Sequence, residues 1–263
     1  MPVVATLHDV IPLRYPGAIP SRRVRHRAVQ RLGTCRRATL VHAVSRATAR
    51  DAVHALGLDP ARVRVVHNGV SLPAATPSEE ERDHVLYVGG ADPHKRVDLL
   101  LAAWQLPGTE RLPPLVIAGG AVRRPDAIAA ASRYPSRIRL AGVVDDGELD
   151  RLYRRAVAVL MPSLWEGYGL PVVEGMARGA VPVVTARASL PEVGADAALH
   201  VSASAGPGAW IAAVRRLVEE PELRSRLVVR GRELGERRSW DRCAEKMVEL
   251  YREARARWRT ARS

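Results

Sequence analysis

The feature that most constrains the fold is a regular alternation of short apolar runs and amphipathic stretches between residues 85 and 201. The apolar runs are rich in β-branched residues, as in buried strands, and the stretches between them have helical periodicity. The predicted strands are Val85–Val88, Leu115–Ala118, Ile138–Ala141, Ala156–Met161, Val181–Val184 and, more weakly, Ala198–Val201. This alternation predicts a parallel sheet with helices on both faces, a Rossmann-like α/β unit.

A shorter set of elements precedes this unit. Its predicted strands are Val3–Leu7, Thr39–Val44 and Val63–His67, separated by helical patterns at Ser21–Arg36 and Ser45–Leu56. Three strands are too few for a complete sheet of this type, so we predict an α/β protein with two Rossmann-like units, the first one incomplete. The predicted boundaries are 1–73 for the first unit, 74–84 for a linker, 85–236 for the second unit and 237–263 for a long C-terminal helix.

Composition and cysteine usage narrow the class of protein. The chain has 263 residues, of which 47% are hydrophobic, enough for one large domain or two modest ones. No apolar run approaches the roughly 20 residues that span a bilayer, and Met1 is followed by a strand-like segment, not a leader, so we expect a cytoplasmic protein. Cys35 and Cys243 belong to no CxxC or Cys/His cluster, which predicts free thiols.

The charge balance is strongly basic, with 41 basic against 28 acidic residues and a net charge of +13. Arginines concentrate at 22–37 and 252–262, and such charge suits nucleic acid, an anionic membrane or a phosphorylated substrate. With 4% aromatic residues and no recognition motif, we expect no nucleic-acid partner. The first stretch lies in a predicted helix, which is either a solvated face or a peripheral contact with the inner face of a membrane.

The most informative segment is PSLWEGYGLPVVE at residues 162–174, between a buried strand and a helix that begins near Pro171. A loop at the carboxyl end of such a strand faces the ligand crevice, and glycines there let the backbone approach a ligand. Glu166 and Glu174 could therefore hold sugar and ribose hydroxyls on either side of a diphosphate. Taken singly, Glu166 could instead be a solvated loop acid, and Glu174 could merely complement the helix dipole.

A second segment, YVGGADPHKR at residues 87–96, leads from a strand into a helix predicted to begin near Lys95. A lysine in the first turn of a helix is unfavourable, because it lies near the positive end of the helix dipole. A bound anion there would reverse this penalty. The alternative is a solvated surface lysine. Two further strand-to-helix loops contain Gly119 and Val143. By themselves, glycines after strands indicate only tight turns.

In the first unit, the segment LHDVIP at residues 7–12 ends a strand and enters a turn. A lone histidine such as His8 is more often structural than catalytic. Near the end of the chain, Ser239 is a plausible N-cap for a helix over Trp240–Arg257.

These motifs resemble those of retaining glycosyltransferase family 4, also called glycosyl transferases group 1, which has the GT-B fold. Residues 162–174 match the family's PS-x-x-EG-[FY]-GLP-x-x-E pattern with its Glu-x7-Glu signature. The resemblance implies that Glu174 binds the donor ribose and that Glu166 lies against the donor sugar. It also implies that the loop amides hold sugar and diphosphate oxygens; these are the amides of Gly167, Tyr168, Gly169 and Leu170.

The resemblance extends to the other segments. Lys95 matches a diphosphate-binding lysine, and His8 matches a histidine that contacts the donor sugar across the cleft, so His8 and Glu166 are the candidate catalytic residues. The donor-side loops contribute Gly89, Gly90, Gly119 and Val143 as further candidate donor contacts. Many members have an arginine where this chain has Gly90, which leaves one phosphate contact unassigned. The last helix resembles the GT-B helix that crosses back to the first domain.

The implied function is transfer of a sugar from a nucleoside-diphosphate sugar to a sugar or lipid-linked acceptor, with retention of anomeric configuration. We expect no cofactor and no metal, since no two aspartates are separated by a single residue as in Asp-x-Asp donor sites. The family's N-terminal domain has several strands before the one that ends in His8-Asp9, and the chain begins at that strand. The alternative is therefore a non-catalytic or partner-dependent nucleotide-sugar-binding subunit, which self-associates or uses a partner chain.

Overall fold

The computed structural model describes residues 1–19, 21–73 and 81–260. Its first unit contains a three-stranded parallel sheet in the order β1-β2-β3. The strands are β1 (Val4–Leu7), β2 (Leu40–Ala43) and β3 (Val63–Val65), and the helices are α1 (Ile11–Arg14), α2 (Arg22–Gly33) and α3 (Arg46–Leu56). The predicted three-stranded first unit is confirmed.

The second unit contains a six-stranded parallel sheet in the order β6-β5-β4-β7-β8-β9. Its strands are β4 (His84–Val88), β5 (Leu115–Ala118), β6 (Ile138–Gly142), β7 (Ala156–Met161), β8 (Val181–Thr185) and β9 (Leu199–Val201). Its helices are α4 (Val97–Trp104), α5 (Pro125–Arg133), α6 (Asp146–Arg155), α7 (Leu170–Ala177), α8 (Leu190–Gly194), α9 (Pro207–Glu219) and α10 (Pro221–Glu236). The predicted fold class is confirmed: each unit is an α/β unit with a parallel sheet.

The strand order fixes where a ligand would bind. From β4 the chain moves outward to β5 and β6, then crosses to the other side of β4 and continues through β7, β8 and β9. The order therefore reverses between β4 and β7, and the crevice outside the carboxyl ends of these two strands is the preferred ligand position in such sheets.

Burial on both faces of the sheet explains why the sequences of these strands are nearly continuous apolar runs. All residues of β5, β7 and β8 are buried, as expected for strands covered by helices on both faces. Two tryptophans fill the space beneath the helices, Trp104 in α4 and Trp210 in α9, and both are almost completely buried. The indole of Trp104 donates a hydrogen bond of 3.0 Å to the Pro113 carbonyl, which satisfies its polar group.

A last helix, α11 (Trp240–Thr260), returns to the first unit. Leu250 and Ala254 of this helix pack on Leu40 of β2, and Arg64 of β3 pairs with Glu253 at 2.7 Å. Ser239 caps the helix, since its Oγ accepts a hydrogen bond from the Arg242 amide at 3.3 Å. None of the helices in the described part of the chain is long and apolar enough to cross a membrane.

One predicted helix start was wrong. Lys95 does not lie in the first turn of a helix: it ends a short 3₁₀ turn that begins at Pro93, and α4 begins only at Val97. The residue between them, Arg96, has φ of 49°, which separates the two helical segments. The strand β4 begins at His84, one residue before the predicted second unit, where His84 pairs with Ala156 of β7. The rest of the linker includes residues 74–80, outside the described residues.

Candidate functional site

The two loops predicted to bind a donor meet at the switch point between β4 and β7. The Leu164 amide donates a hydrogen bond of 2.8 Å to the His94 carbonyl, which joins the loop after β7 to the turn after β4. Lys95 Nζ then lies 3.0 Å from Glu166 Oε1, and the two side chains are only 22% and 11% exposed. A partly buried ion pair between two predicted site residues thus stands at the point where the sheet topology favours a ligand.

The backbone of the donor loop, residues 167–170, is held in one conformation. Gly169 has φ of 105°, in the region that favours glycine, and α7 begins at the next residue. The Ser189 hydroxyl lies 2.9 Å from the Glu166 carbonyl and 2.8 Å from the Tyr168 carbonyl. Ser189 is fully buried, so it fixes the loop from behind, and nothing in the sequence pattern distinguished it from other serines.

The first unit contacts this loop at Gly167. A Cβ atom on Gly167 would lie 1.8 Å from the His8 carbonyl oxygen, so only glycine fits. The Gly167 carbonyl accepts hydrogen bonds from the hydroxyls of Ser45 at 2.7 Å and Thr48 at 3.0 Å, both at the start of α3. The structure therefore brings the donor loop and the predicted histidine segment into direct contact.

These residues surround one cavity of about 390 Å³ between the units. The predicted site residues that line it are His8, Lys95, Glu166, Gly167, Tyr168, Gly169 and Leu170, and Asp9, Asn68 and His94 line it as well. Tyr168 contributes through its backbone, because its side chain is buried in the core and packs against His67 with ring centroids 5.8 Å apart. Burial raises the pKa of the Tyr168 phenol to about 12, which keeps it protonated.

His94 also lines this cavity, although its sequence motif did not indicate a role for it. It is 5% exposed, and among the described residues its Nδ1 has no hydrogen-bond partner. Burial lowers its pKa, with neighbouring charges of both signs as smaller causes, and so favours the neutral imidazole. Tyr15 of the first unit packs against its ring at 5.9 Å. The one sequence signal for His94 was its position directly before Lys95.

Glu174 lines a different cavity, of about 270 Å³, on the other side of the first turn of α7. Its Oε2 accepts a hydrogen bond of 2.6 Å from the Tyr153 hydroxyl. Burial and the adjacent Glu174 carboxylate raise the pKa of Tyr153 well above its ordinary value, so the phenol remains a donor. Leu170 lines both cavities, which are therefore neighbours.

The remaining predicted donor residues form strand-end turns. The Gly89 amide donates to the Ala118 carbonyl at 3.1 Å, and a Cβ on Gly119 would lie 2.8 Å from the Gly89 carbonyl oxygen. The Gly90 carbonyl accepts a hydrogen bond from the Tyr87 hydroxyl at 3.1 Å, and Val143 is 70% exposed. None of these four predicted residues lines either of the two cavities, so their donor contacts stay predictions.

The part of the chain that the structure describes shows no group of three His, Cys, Asp or Glu side chains able to hold a metal ion. Two Rossmann-like units thus face each other across a cleft, with a cation, two carboxylates and a glycine-containing loop where the topology places ligands. This architecture defines the GT-B class.

Two family models match the chain. The model described as glycosyl transferases group 1 matches residues 71–234, more than half of the chain, and the model described as glycosyltransferase family 4 matches residues 1–73. The protein belongs to the group 1 glycosyltransferase family.

Curated relatives and solved structures agree with this assignment. O-antigen chain mannosyltransferase B of Escherichia coli is 33% identical over 64% of this chain and 45% of its own length. D-inositol 3-phosphate glycosyltransferase of Acidothermus cellulolyticus is 31% identical over 81% of this chain and 53% of its own length. The chain thus spans about half the length of these curated relatives.

Among solved structures, sucrose-phosphate synthase of Thermosynechococcus elongatus has a TM-score of 0.75 at 24% identity, covering 96% of this chain and 68% of the synthase. Anabaena Alr3699/HepE in complex with UDP-glucose also has a TM-score of 0.75, at 18% identity, covering 96% and 72%. At these identities the likeness shows the fold.

Proposed function

We propose that the protein transfers a sugar from a nucleoside-diphosphate sugar to an acceptor, with retention of anomeric configuration and without a metal ion. The observation that carries this proposal is the placement of Lys95, Glu166 and the donor loop around one cavity at the switch point. This is the position at which open α/β sheets bind nucleotides.

The proposed roles follow from the chemistry of each group. Lys95 and the N–H groups at the start of α7 would stabilise the departing diphosphate, the electrostatic work that a metal does elsewhere. Glu166 would accept hydrogen bonds from donor-sugar hydroxyls, and Glu174 from the ribose in the adjacent cavity. His8 would face the donor sugar from the first unit, and no protein nucleophile is assigned.

The donor and acceptor classes are part of the proposal. One relative is named a mannosyltransferase, another is named a D-inositol 3-phosphate glycosyltransferase, and a structural neighbour is in complex with UDP-glucose. We infer a hexose donated from a nucleoside diphosphate to a sugar or lipid-linked acceptor. No other cofactor is needed for that reaction.

Calorimetry with UDP, GDP and ADP, each with and without EDTA, tests the donor site. We expect one nucleotide to bind equally well in EDTA and Lys95→Ala to weaken the diphosphate more than the nucleoside. Glu174→Gln should weaken both, since an amide accepts fewer hydroxyl hydrogen bonds than a carboxylate. Glu220→Gln, at an exposed ion pair with Arg216, is the control. Parent-like binding by both site variants would refute the assignment.

A second candidate is a binding subunit that transfers sugar poorly by itself. It is favoured by the first unit, in which β1 pairs only with β2 among the described residues and so leaves a strand edge open. We expect self-association or a partner requirement in size-exclusion chromatography. Robust turnover by a monodisperse monomer would exclude this candidate.

We also propose a cytoplasmic location with peripheral membrane contact through α2. None of the 12 residues of this helix is fully buried, although Leu32 packs against the core of the first unit, and the helix contains no acidic residue. Its exposed guanidinium groups suit an anionic lipid surface, where each basic residue contributes roughly 1 kcal/mol.

A further inference from the structure

One carboxylate connects the two units outside both cavities. Glu192 lies in α8 of the second unit, and its side chain accepts three hydrogen bonds from the first unit. The donors are the backbone N–H of Arg46 at 2.8 Å, that of Ala47 at 3.2 Å, and His67 Nε2 at 2.6 Å. The Glu192 side chain is only 15% exposed, so these bonds lie in a largely dry contact.

This contact is electrostatically specific. The helix α3 has no acidic residue in its own first turn, so the partial positive charge of its N-terminus is not matched within the helix. Glu192 supplies the missing anion from the other unit. Burial by itself would raise the pKa of Glu192, but the bonds from His67 and the two amides outweigh it and lower the pKa. The carboxylate is therefore ionised at neutral pH.

Hydrogen bonds tie the backbone around Glu192 to the segment that connects the two units. Arg238 donates hydrogen bonds to the Val193 carbonyl at 2.5 Å and to the Glu192 carbonyl at 3.2 Å. The Arg238 carbonyl in turn accepts a hydrogen bond of 2.7 Å from the Val70 amide. The position of the carboxylate is thus set by the segment at which the chain passes from one unit to the other.

The same turn of α3 holds the donor loop. Ser45 and Thr48 flank the two amides that bind Glu192, and their hydroxyls hold the Gly167 carbonyl. We propose that Glu192 is a positioning residue: by docking the second unit on the N-terminus of α3, it sets the distance between the donor loop and His8. Its effect on transfer rests on the proposed function, whereas docking is measurable without turnover.

Hydrogen exchange of the Arg46 and Ala47 amides, followed by NMR on the whole chain, tests the docking. In Glu192→Ala these amides should exchange at least tenfold faster than in the parent, and Glu192→Gln, which keeps one acceptor oxygen, should lie between. Asp196→Asn is the matched control, since this nearby carboxylate pairs with Arg230 inside the second unit. It should leave both amides within twofold of the parent.

The Val193 amide separates docking from simple loss of α8, because it bonds to the Ser189 carbonyl within the second unit at 2.9 Å. Equal acceleration of Val193 and the α3 amides would overturn the proposal, as would parent-like exchange in Glu192→Ala. For transfer, we expect kcat to fall at least tenfold while the affinity for UDP or GDP changes less than threefold. If the parent protein bound none of UDP, GDP and ADP, the proposed function would be refuted, and the exchange result would still stand.

Discussion

Replacing Gly167 by alanine would place a Cβ atom 1.8 Å from the His8 carbonyl oxygen and 2.9 Å from the carbonyl carbon. Real Cβ atoms essentially never approach another heavy atom within 3.0 Å, so this contact must widen by the difference, about 1.2 Å. Both obstructing atoms belong to backbone, and no side-chain rotation can relieve the clash. The donor loop and the His8 segment must therefore move apart.

The size of the effect follows from the bonds that such a movement breaks. The Gly167 carbonyl accepts hydrogen bonds from Ser45 and Thr48, and each such bond has a net worth of about 0.5–1.5 kcal/mol. Losing both costs about 1–3 kcal/mol of docking free energy, roughly a 5-fold to 150-fold change in the docking equilibrium. A misplacement of about 1 Å would also lower a transfer rate on the order of a hundredfold.

Exchange of the Arg46 and Ala47 amides, which bond across the units to Glu192, reports this change. We expect Gly167→Ala to accelerate both amides by that factor while the urea-unfolding midpoint of the second unit stays near that of the parent. Gly208→Ala is the control, because a Cβ there meets no atom of the described residues within 4 Å. Parent-like amide exchange in Gly167→Ala would refute the reasoning and show that the loop accommodates the added methyl group.

Three further predictions concern other parts of the molecule. Tyr153→Phe removes the hydroxyl that orients Glu174 and should weaken nucleoside-diphosphate binding about twofold to tenfold by calorimetry, with unchanged affinity as the contrary result. The pKa of Glu192 is lowered in the folded state, so its ionised carboxylate stabilises the folded protein fully above the ordinary value of 4.5. This stabilisation is lost as the pH falls through the folded-state pKa. The difference in urea midpoint between the parent and Glu192→Gln should therefore shrink from pH 7 to pH 3.5. Replacing Arg22, Arg23 and Arg27 by serine should reduce co-sedimentation with anionic liposomes, and binding that ignores anionic lipid would leave α2 as a solvated helix.

The strands and the donor loop were predictable because their signals are local. Runs such as Ala156–Met161 are apolar throughout since both faces of β7 are buried, and the loop motif lies within thirteen consecutive residues. The start of α4 was missed because Pro93 opens a separate 3₁₀ turn, and Arg96 then adopts a positive φ that no residue preference indicates. Local patterns therefore identified Lys95 as a candidate residue but did not predict that it lies before the start of α4.

The contacts between the units could not be predicted from the sequence. Glu192 follows Pro191 at the start of a short helix, where an acidic residue is already explained by the helix dipole. Its partner Arg46 is 146 positions away, and only the folded arrangement brings the two together. Ser189 illustrates the same limit, since its bonds to the carbonyls of Glu166 and Tyr168 depend on how two loops pack.

The site has two separable properties, nucleotide binding and docking of the two units, and variants should affect them separately. Among the described residues, the side-chain hydrogen bonds of Lys95 and Glu174 stay within the second unit, where their partners are Glu166 and Tyr153. Changes at these two residues should therefore alter nucleotide affinity and leave docking intact. Gly167 affects both properties, because it belongs to the donor loop and rests on the first unit. Because misplacing the loop affects transfer more than binding, docking variants should lose rate before they lose nucleotide affinity.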